Sequence, residues 1–286
     1  MKKLLALILG FTLLAAACGD DGETSAESGG TSDPERIVSL SATATETLFA
    51  IGASDQLIAV DNFSNYPAND LPAIDSFSPS VEAVAELEPD LVIITFDPGD
   101  FISGLDALGI DTLMQPTAAS IPDAYVQIEE LGALTGHASG AADLVEEMKA
   151  DIAELIADAP DGAGVTYYHE LDNTLFSITS STFVGEIYSL FGLENVADPA
   201  DDGTAFGFPQ LSDEFLVGAD PDLVFLADTI CCGQNAATVA ERPGWDELSA
   251  VQDGNVIELS DDVASRWGPR IVEFAEVIAT ALAALA

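Results

Sequence analysis

Basic residues are scarce in this sequence of 286 residues, which has 7 Lys and Arg against 50 Asp and Glu and a net charge of −43. Such a surface repels the phosphates of nucleic acids, so nucleic acid is excluded as a partner. It also repels anionic lipid headgroups, so attachment to a membrane requires an anchor rather than a charged face. Because 48% of the residues are hydrophobic, the acidity belongs to the surface of a folded protein.

Histidine is also rare, and the only two are His137 and His169. A dedicated site for free zinc or manganese normally uses more nitrogen or sulfur ligands than these residues supply. His169 stands next to Glu170 at the end of a predicted strand, where it either contacts a ligand or belongs to a hydrogen-bonded loop.

No nucleophile elbow, phosphate-binding glycine loop or clustered metal motif occurs, so the sequence favours neither an enzyme nor an intrinsic cofactor.

The N-terminus has the pattern of a secretion signal, which we assign to residues 1–17. Two lysines precede the apolar run Leu4–Leu14, and small residues then lead to Cys18. This arrangement resembles a bacterial lipobox, in which Cys18 would be lipidated; an ordinary signal peptide cut near Ala17 is the alternative. Residues 18–33 are polar, acidic and rich in glycine and serine, and they predict a flexible tether.

Short apolar strands alternate with helices through residues 34–136 and again through 161–286, while 137–160 reads as one long helix. Alternation of this kind predicts parallel sheets covered on both faces. We therefore expect an α/β protein of two Rossmann-like lobes, joined by the long helix, with a ligand cleft between them.

The two predicted lobes repeat a local pattern. Glu82 is followed seven residues later by the run PDLV, and so is Glu214. Glu46 and Glu186 likewise occupy matching positions in helical segments that end at a glycine. These pairs occur in the same order, which favours two related lobes over chance similarity.

The chain resembles the iron-siderophore and cobalamin substrate-binding proteins of bacterial ABC importers over about residues 34–286. The resemblance rests on the order and spacing of several segments, which are RIVSLSATATETLFAIGASDQLIAVD, SVEAVAELEPDLVI, FPQLSDEFLVGADPDLVFL, WDELSAVQDGNVIEL and WGPRIVEFAEVIA. It implies an extracytoplasmic, lipid-anchored monomer that captures a metal chelate (cobalamin, a ferric siderophore or haem) and delivers it to a permease with its ATPase. The alternatives are a surface lipoprotein of the same fold used for sensing or adhesion, or an extracytoplasmic enzyme.

The resemblance also implies that Glu82 and Glu214 dock onto the permease, one from each lobe. Both begin helices after a serine, where a carboxylate is favoured by the helix dipole, so a purely local role is the alternative. We interpret Glu46 and Glu186 as structural, because they lie inside apolar helical runs.

Candidate ligand contacts lie where strands end. We predict that Tyr66, Phe96, Phe208, Arg266 and Trp267 line the cleft, with His169 as a further candidate; core packing is the alternative for any aromatic residue. The scarcity of basic residues favours a neutral or weakly charged chelate over a highly anionic one.

Cys231 and Cys232 follow a strand and could form a vicinal disulfide, remain free thiols or supply a thiolate ligand.

Overall fold

The computed structural model describes residues 33–286. The predicted signal, Cys18 and all but the last residue of the predicted tether lie outside the described residues. Residues 33–286 form a single compact unit. Within this range, no helix combines the length and apolar character needed to cross a membrane.

The N-terminal lobe is built on a parallel sheet with the strand order β3-β2-β1-β4-β5. Its strands are β1 (Ile37–Leu40), β2 (Leu57–Asp61), β3 (Ala73–Ile74), β4 (Leu91–Ile94) and β5 (Asp111–Met114). Its helices are α1 (Ala42–Ala50), α2 (Val81–Ala85) and α3 (Phe101–Asp106). All four residues of β1 and of β4 are buried, as expected for central strands covered on both faces.

Two helices follow this sheet, α4 (Ile121–Leu134) and α5 (Ala138–Asp158). Helix α5 has 21 residues and leads into the second lobe, within one or two residues of the predicted connecting helix. Ser120 caps α4 by accepting a hydrogen bond from the amide of Asp123, and Pro122 stands in the first turn, where proline is tolerated.

The C-terminal lobe has a second parallel sheet, with the order β7-β6-β8-β9. Its strands are β6 (Thr166–Glu170), β7 (Glu194–Asn195), β8 (Leu223–Leu226) and β9 (Val256–Glu258). Its helices are α6 (Phe183–Leu190), α7 (Asp213–Ala219), α8 (Thr229–Cys232), α9 (Ala236–Ala240), α10 (Ser249–Asp253), α11 (Asp261–Ser265) and α12 (Ile271–Leu285).

The repeated PDLV run has the same structural role in both lobes. The carboxylate of Asp90 accepts a hydrogen bond from the amide of Arg36, at the start of β1. The carboxylate of Asp222 accepts one from the amide of Thr166, at the start of β6. Each aspartate thereby aligns the strand that it precedes with the first strand of its lobe, β4 with β1 and β8 with β6.

One hydrophobic cluster extends through both lobes and the helices between them. It includes Leu48 from α1, Val145 from α5, Tyr188 from α6 and Phe274 from α12. Buried apolar contacts, and not the connecting helix alone, therefore hold the two lobes together.

Candidate functional site

Three half-exposed aromatic rings form a surface where strands of the N-terminal sheet end. Phe63 follows β2, Phe77 follows β3 and Phe96 follows β4. The Phe77 ring centroid lies 5.6 Å from that of Phe63 and 5.7 Å from that of Phe96. Because the carboxyl ends of parallel strands meet at one edge, the rings gather at the place where open α/β sheets bind ligands. Exposed aromatic rings in contact with one another are typical of a binding surface.

Tyr66 extends this aromatic surface. Tyr66 is 47% exposed, and the guanidinium of Arg270 lies 4.4 Å from its ring centroid. Such a cation–π contact fixes the ring against the protein and leaves part of it open to solvent.

The C-terminal lobe presents a second group of exposed aromatic residues near the end of β6. They are Phe176, Phe206 and Phe208, and Phe206 is 86% exposed. Two backbone hydrogen bonds hold their loops together, from the amide of Ser177 to the carbonyl of Pro209 and from the amide of Thr179 to the carbonyl of Gly207.

Polar contacts join the carboxyl edges of the two sheets. Asn65, after β2, donates to the carboxylate of Asp262, after β9, at 2.8 Å. The indole of Trp267 donates to the side chain of Gln127 on α4, also at 2.8 Å. The Asn65–Asp262 bond therefore brings the two sheet edges together, while Trp267 is partly buried and contacts the helical layer between the lobes.

Arg266 is not free to serve as the predicted positive contact for a ligand. It is only 8% exposed and donates to the carboxylates of Glu46 and Asp262 and to the carbonyl of Phe63. This corrects the sequence interpretation, which placed Arg266 among the residues that contact a ligand in the cleft. Its pairing follows from burial, since a buried guanidinium requires a counter-charge.

Glu46 is the centre of this ion cluster. Arg270 donates to its two oxygens from Nε at 3.0 Å and from Nη2 at 2.6 Å. Burial works against the charged guanidinium, but the hydrogen bonds and charge of Glu46 raise the pKa of Arg270. Glu186, the matching residue of the second lobe, instead accepts a hydrogen bond from the amide of Ile121 at the start of α4.

A second buried ion pair lies at the carboxyl edge of the C-terminal sheet. Arg242 donates to both oxygens of Glu170, at 2.5 and 2.6 Å, and its guanidinium lies 4.5 Å from the Trp245 ring centroid. Asp228 lies close by, fully buried, and neither of its oxygens has a hydrogen-bond partner. Burial and the charge of Glu170 raise its pKa from 3.8 to about 7.

His169 does not reach the cleft, which corrects its placement among the ligand contacts. It lies inside β6 with no exposed surface, and its Nδ1 is 2.9 Å from the hydroxyl of Tyr188. Burial lowers the pKa of His169 to about 3, so the ring is neutral. The side chain points into the core because alternate residues of a strand face opposite sides, and both faces of this sheet are covered.

The two predicted docking glutamates are exposed and equivalent in position. Glu82 is the second residue of α2, which Ser80 caps, and Glu214 is the second residue of α7, which Ser212 caps. Hydrogen bonds from the backbone and from the Ser80 hydroxyl lower the pKa of Glu82. Both carboxylates are available to a partner.

Cys231 and Cys232 form a vicinal disulfide in α8. The carboxylate of Asp261 accepts hydrogen bonds from the amides of Ile230 and Cys231 and so fixes the start of this short helix. Of the three chemistries left open by the sequence, the structure has the disulfide. Among residues 33–286, no group of three or more His, Cys, Asp or Glu side chains is placed to bind a metal ion.

Sequence reasoning missed four of the exposed aromatic residues, Phe63, Phe77, Phe176 and Phe206. The segment DNFSNYP contained a usable signal, since Phe63 is among polar residues directly after β2, just as Tyr66 is. Of the predicted contacts, Tyr66, Phe96 and Phe208 lie half-exposed at the carboxyl edges, while Trp267 is partly buried.

Comparison with known proteins places this architecture in a family. Residues 37–263 match the family described as periplasmic binding protein. The chain is 32% identical over 254 residues to a cobalamin-binding protein of Halobacterium salinarum, covering 85% of this chain and 68% of that protein. It is 29% identical over 261 residues to YvrC of Bacillus subtilis, named as an uncharacterized ABC transporter substrate-binding lipoprotein, covering 87% of this chain and 80% of that protein.

A solved structure has the same arrangement of lobes. The periplasmic vitamin B12 binding protein of Vibrio cholerae aligns with a TM-score of 0.72 at 25% identity, covering 88% of this chain and 97% of that one. The fold, the cleft between two sheet edges and the sequence match agree, and the chain belongs to the periplasmic binding protein family.

Proposed function

We propose that this protein is the lipid-anchored, extracytoplasmic binding component of an ABC importer and that it captures a neutral or weakly charged metal chelate, a corrinoid such as cobalamin. The observation that carries the proposal is the pair of exposed aromatic surfaces at the two carboxyl edges of the cleft. Aromatic walls bind a large, flat ligand through burial and stacking. Relatives named for cobalamin binding support the choice of ligand.

Delivery to the permease is assigned to Glu82 and Glu214. Their exposure and their equivalent positions on the two lobes support docking with one contact per permease subunit. Exposed ion pairs contribute only about 0.2–1 kcal/mol each, so two such pairs determine orientation and partner choice more than affinity. The protein acts as a monomer in this scheme, anchored through Cys18.

The cleft is expected to be largely preformed. The continuous apolar core and the contacts between the sheet edges oppose a wide opening of the lobes. Binding should therefore involve small backbone movements.

A thermal-shift panel tests the proposal. The purified protein is heated with cyanocobalamin, haem, a ferric hydroxamate or a ferric catecholate, and with a sugar and an amino acid as controls. We expect cyanocobalamin to raise the melting temperature, since a ligand that binds only the folded state stabilises it. An unchanged melting temperature with all four chelates would overturn the assignment.

A further inference from the structure

Two buried arginines contact residues of the aromatic surface of the N-terminal lobe. The guanidinium of Arg270 faces the ring of Tyr66 at 4.4 Å from its centroid. Arg266 donates to the carbonyl of Phe63 at 2.7 Å. Tyr66 and Phe63 are both half-exposed while the two arginines are buried, so the charges of the arginines lie close to any ligand that covers these two residues without contacting it directly.

Both arginines are neutralised by carboxylates. Glu46, whose side chain is 1% exposed, pairs with both, and Asp262 pairs with Arg266 at 2.6 Å. The formal charges of Glu46, Asp262, Arg266 and Arg270, here called the cleft ion cluster, sum to zero. Asp61 lies nearby, and its pKa is raised by burial; when ionised it makes the sum more negative.

The other two arginines among the described residues, Arg242 and Arg36, also donate hydrogen bonds to protein acceptors. Arg242 is bound by Glu170. Arg36 donates to the carbonyls of Leu87 and Glu88. Every arginine in residues 33–286 thus already donates to an acceptor. An anionic chelate in the cleft would find no free guanidinium there, and burying an anion without a counter-charge is costly.

We propose that Glu46 is a specificity-determining residue: by holding Arg266 and Arg270 in the cleft ion cluster, it makes the cleft reject anionic chelates while neutral ones bind. The inference rests on the proposed function and adds to it which chelates the cleft refuses and through which residue. Removal of the Glu46 charge would leave a cluster with a net positive charge next to Tyr66 and Phe63.

The test uses Glu46→Gln, which retains the size of the side chain and one acceptor oxygen but removes the charge. The matched control is Glu186→Gln, at the equivalent position of the second lobe, where the carboxylate contacts the start of α4. Each variant and the wild type are titrated with cyanocobalamin, which is neutral, and with a trianionic ferric tris-catecholate, at low and high salt.

We expect Glu46→Gln to gain at least about tenfold in affinity for the catecholate, with the gain falling at high salt, because the new attraction is between charges. Its affinity for cyanocobalamin should change by less than about threefold, and Glu186→Gln should show no gain with the catecholate. No gain in Glu46→Gln, or the same gain in Glu186→Gln, overturns the proposal.

Glu46→Gln removes a negative charge from beside two buried arginines and could therefore prevent folding. A second variant covers that case. Asp262→Asn makes the cluster equally positive at a more exposed position, with a side chain 26% exposed. It should gain catecholate affinity in the same salt-dependent manner, and a folded Asp262→Asn without that gain overturns the proposal. A wild type that binds no cyanocobalamin contradicts the proposed function instead, and the Glu46 proposal is still decided by the catecholate gain.

Discussion

Asp222 aligns β8 with β6 through Thr166: its carboxylate accepts from the backbone amide and from the side-chain hydroxyl of that residue, both at 2.8 Å. The two residues are 56 positions apart. The equivalent Asp90 in the other lobe bonds only to backbone amides, at the more exposed residues Glu35 and Arg36. The aspartate of each PDLV run therefore stabilises the pairing of strands within its own sheet.

This relationship predicts a difference in stability between two matched variants. Asp222→Ala removes both partly buried hydrogen bonds and should lower the free energy of unfolding by about 1–3 kcal/mol. Asp90→Ala should cost less, because its bonds are exposed to water. Urea denaturation followed by circular dichroism measures both, and equal losses would contradict the account.

A second prediction concerns docking. Glu82→Ala combined with Glu214→Ala should reduce chelate uptake in cells, because both permease contacts are lost, while affinity for the chelate in solution is unchanged. Glu88→Ala, in the loop after α2, serves as the control for the loss of an exposed carboxylate near this docking helix. Weaker chelate binding by the double variant, measured by calorimetry, would show that the glutamates lie at the ligand and not at the permease.

A third prediction concerns the anchor. Cys18→Ala should abolish incorporation of radiolabelled palmitate and release the protein from the membrane fraction. Cys231→Ala combined with Cys232→Ala should leave labelling intact, because those cysteines are far from the signal in sequence. Palmitate labelling that persists in Cys18→Ala would refute lipidation at this residue.

A fourth prediction follows from Asp228, whose pKa is raised from 3.8 to about 7 in the folded protein by burial and by Glu170. The folded state binds this proton more tightly than the unfolded state does. The stabilisation is therefore fully present below pH 3.8 and is lost as the pH rises through about 7.

Asp228→Asn isolates this contribution, because asparagine resembles the protonated carboxyl group. At pH 8 the variant should be more stable than the wild type, and the difference should shrink toward pH 4. Thermal unfolding across this range provides the measurement. If the melting temperatures of the two proteins change with pH in parallel, Asp228 does not bind a proton in this pH range.

Much of the architecture was predictable because it depends on local patterns. The alternation of short strands and helices predicted over residues 34–136 and 161–286 is observed as two parallel sheets with their helices, and the long helix predicted at 137–160 is α5, Ala138–Asp158. The paired Glu-to-PDLV spacing indicated two related lobes, and the strand order β2-β1-β4-β5 of the first sheet has its counterpart in β7-β6-β8-β9 of the second. These features are determined by periodicity and by turn residues, which sequence displays directly.

The site was less predictable because it depends on contacts between distant residues. Glu46 and Arg266 are 220 positions apart, and no local pattern shows that they pair. Exposure of Phe77 and Phe206 also escapes sequence reasoning, because large aromatic residues are more often buried. His169 was misplaced for the opposite reason: its polar neighbours suggested a loop, whereas it lies within β6 and is covered on that side by α6 and α12.

In the proposed function, two aromatic surfaces bind a neutral metal chelate between the lobes. The most direct measurement is a calorimetric titration of cyanocobalamin into the wild type and into Phe77→Ala combined with Phe208→Ala, one ring removed from each surface. Leu190→Ala, at the end of α6 and 39% exposed, is the control for the loss of an exposed apolar side chain.

We expect submicromolar binding of cyanocobalamin by the wild type and by the Leu190→Ala control. Binding by the double variant should be at least about fivefold weaker, since two lost aromatic contacts at about 0.5–1.5 kcal/mol each sum to about 1–3 kcal/mol. Absence of binding by the wild type, or equal affinity in the double variant, would contradict the proposed function.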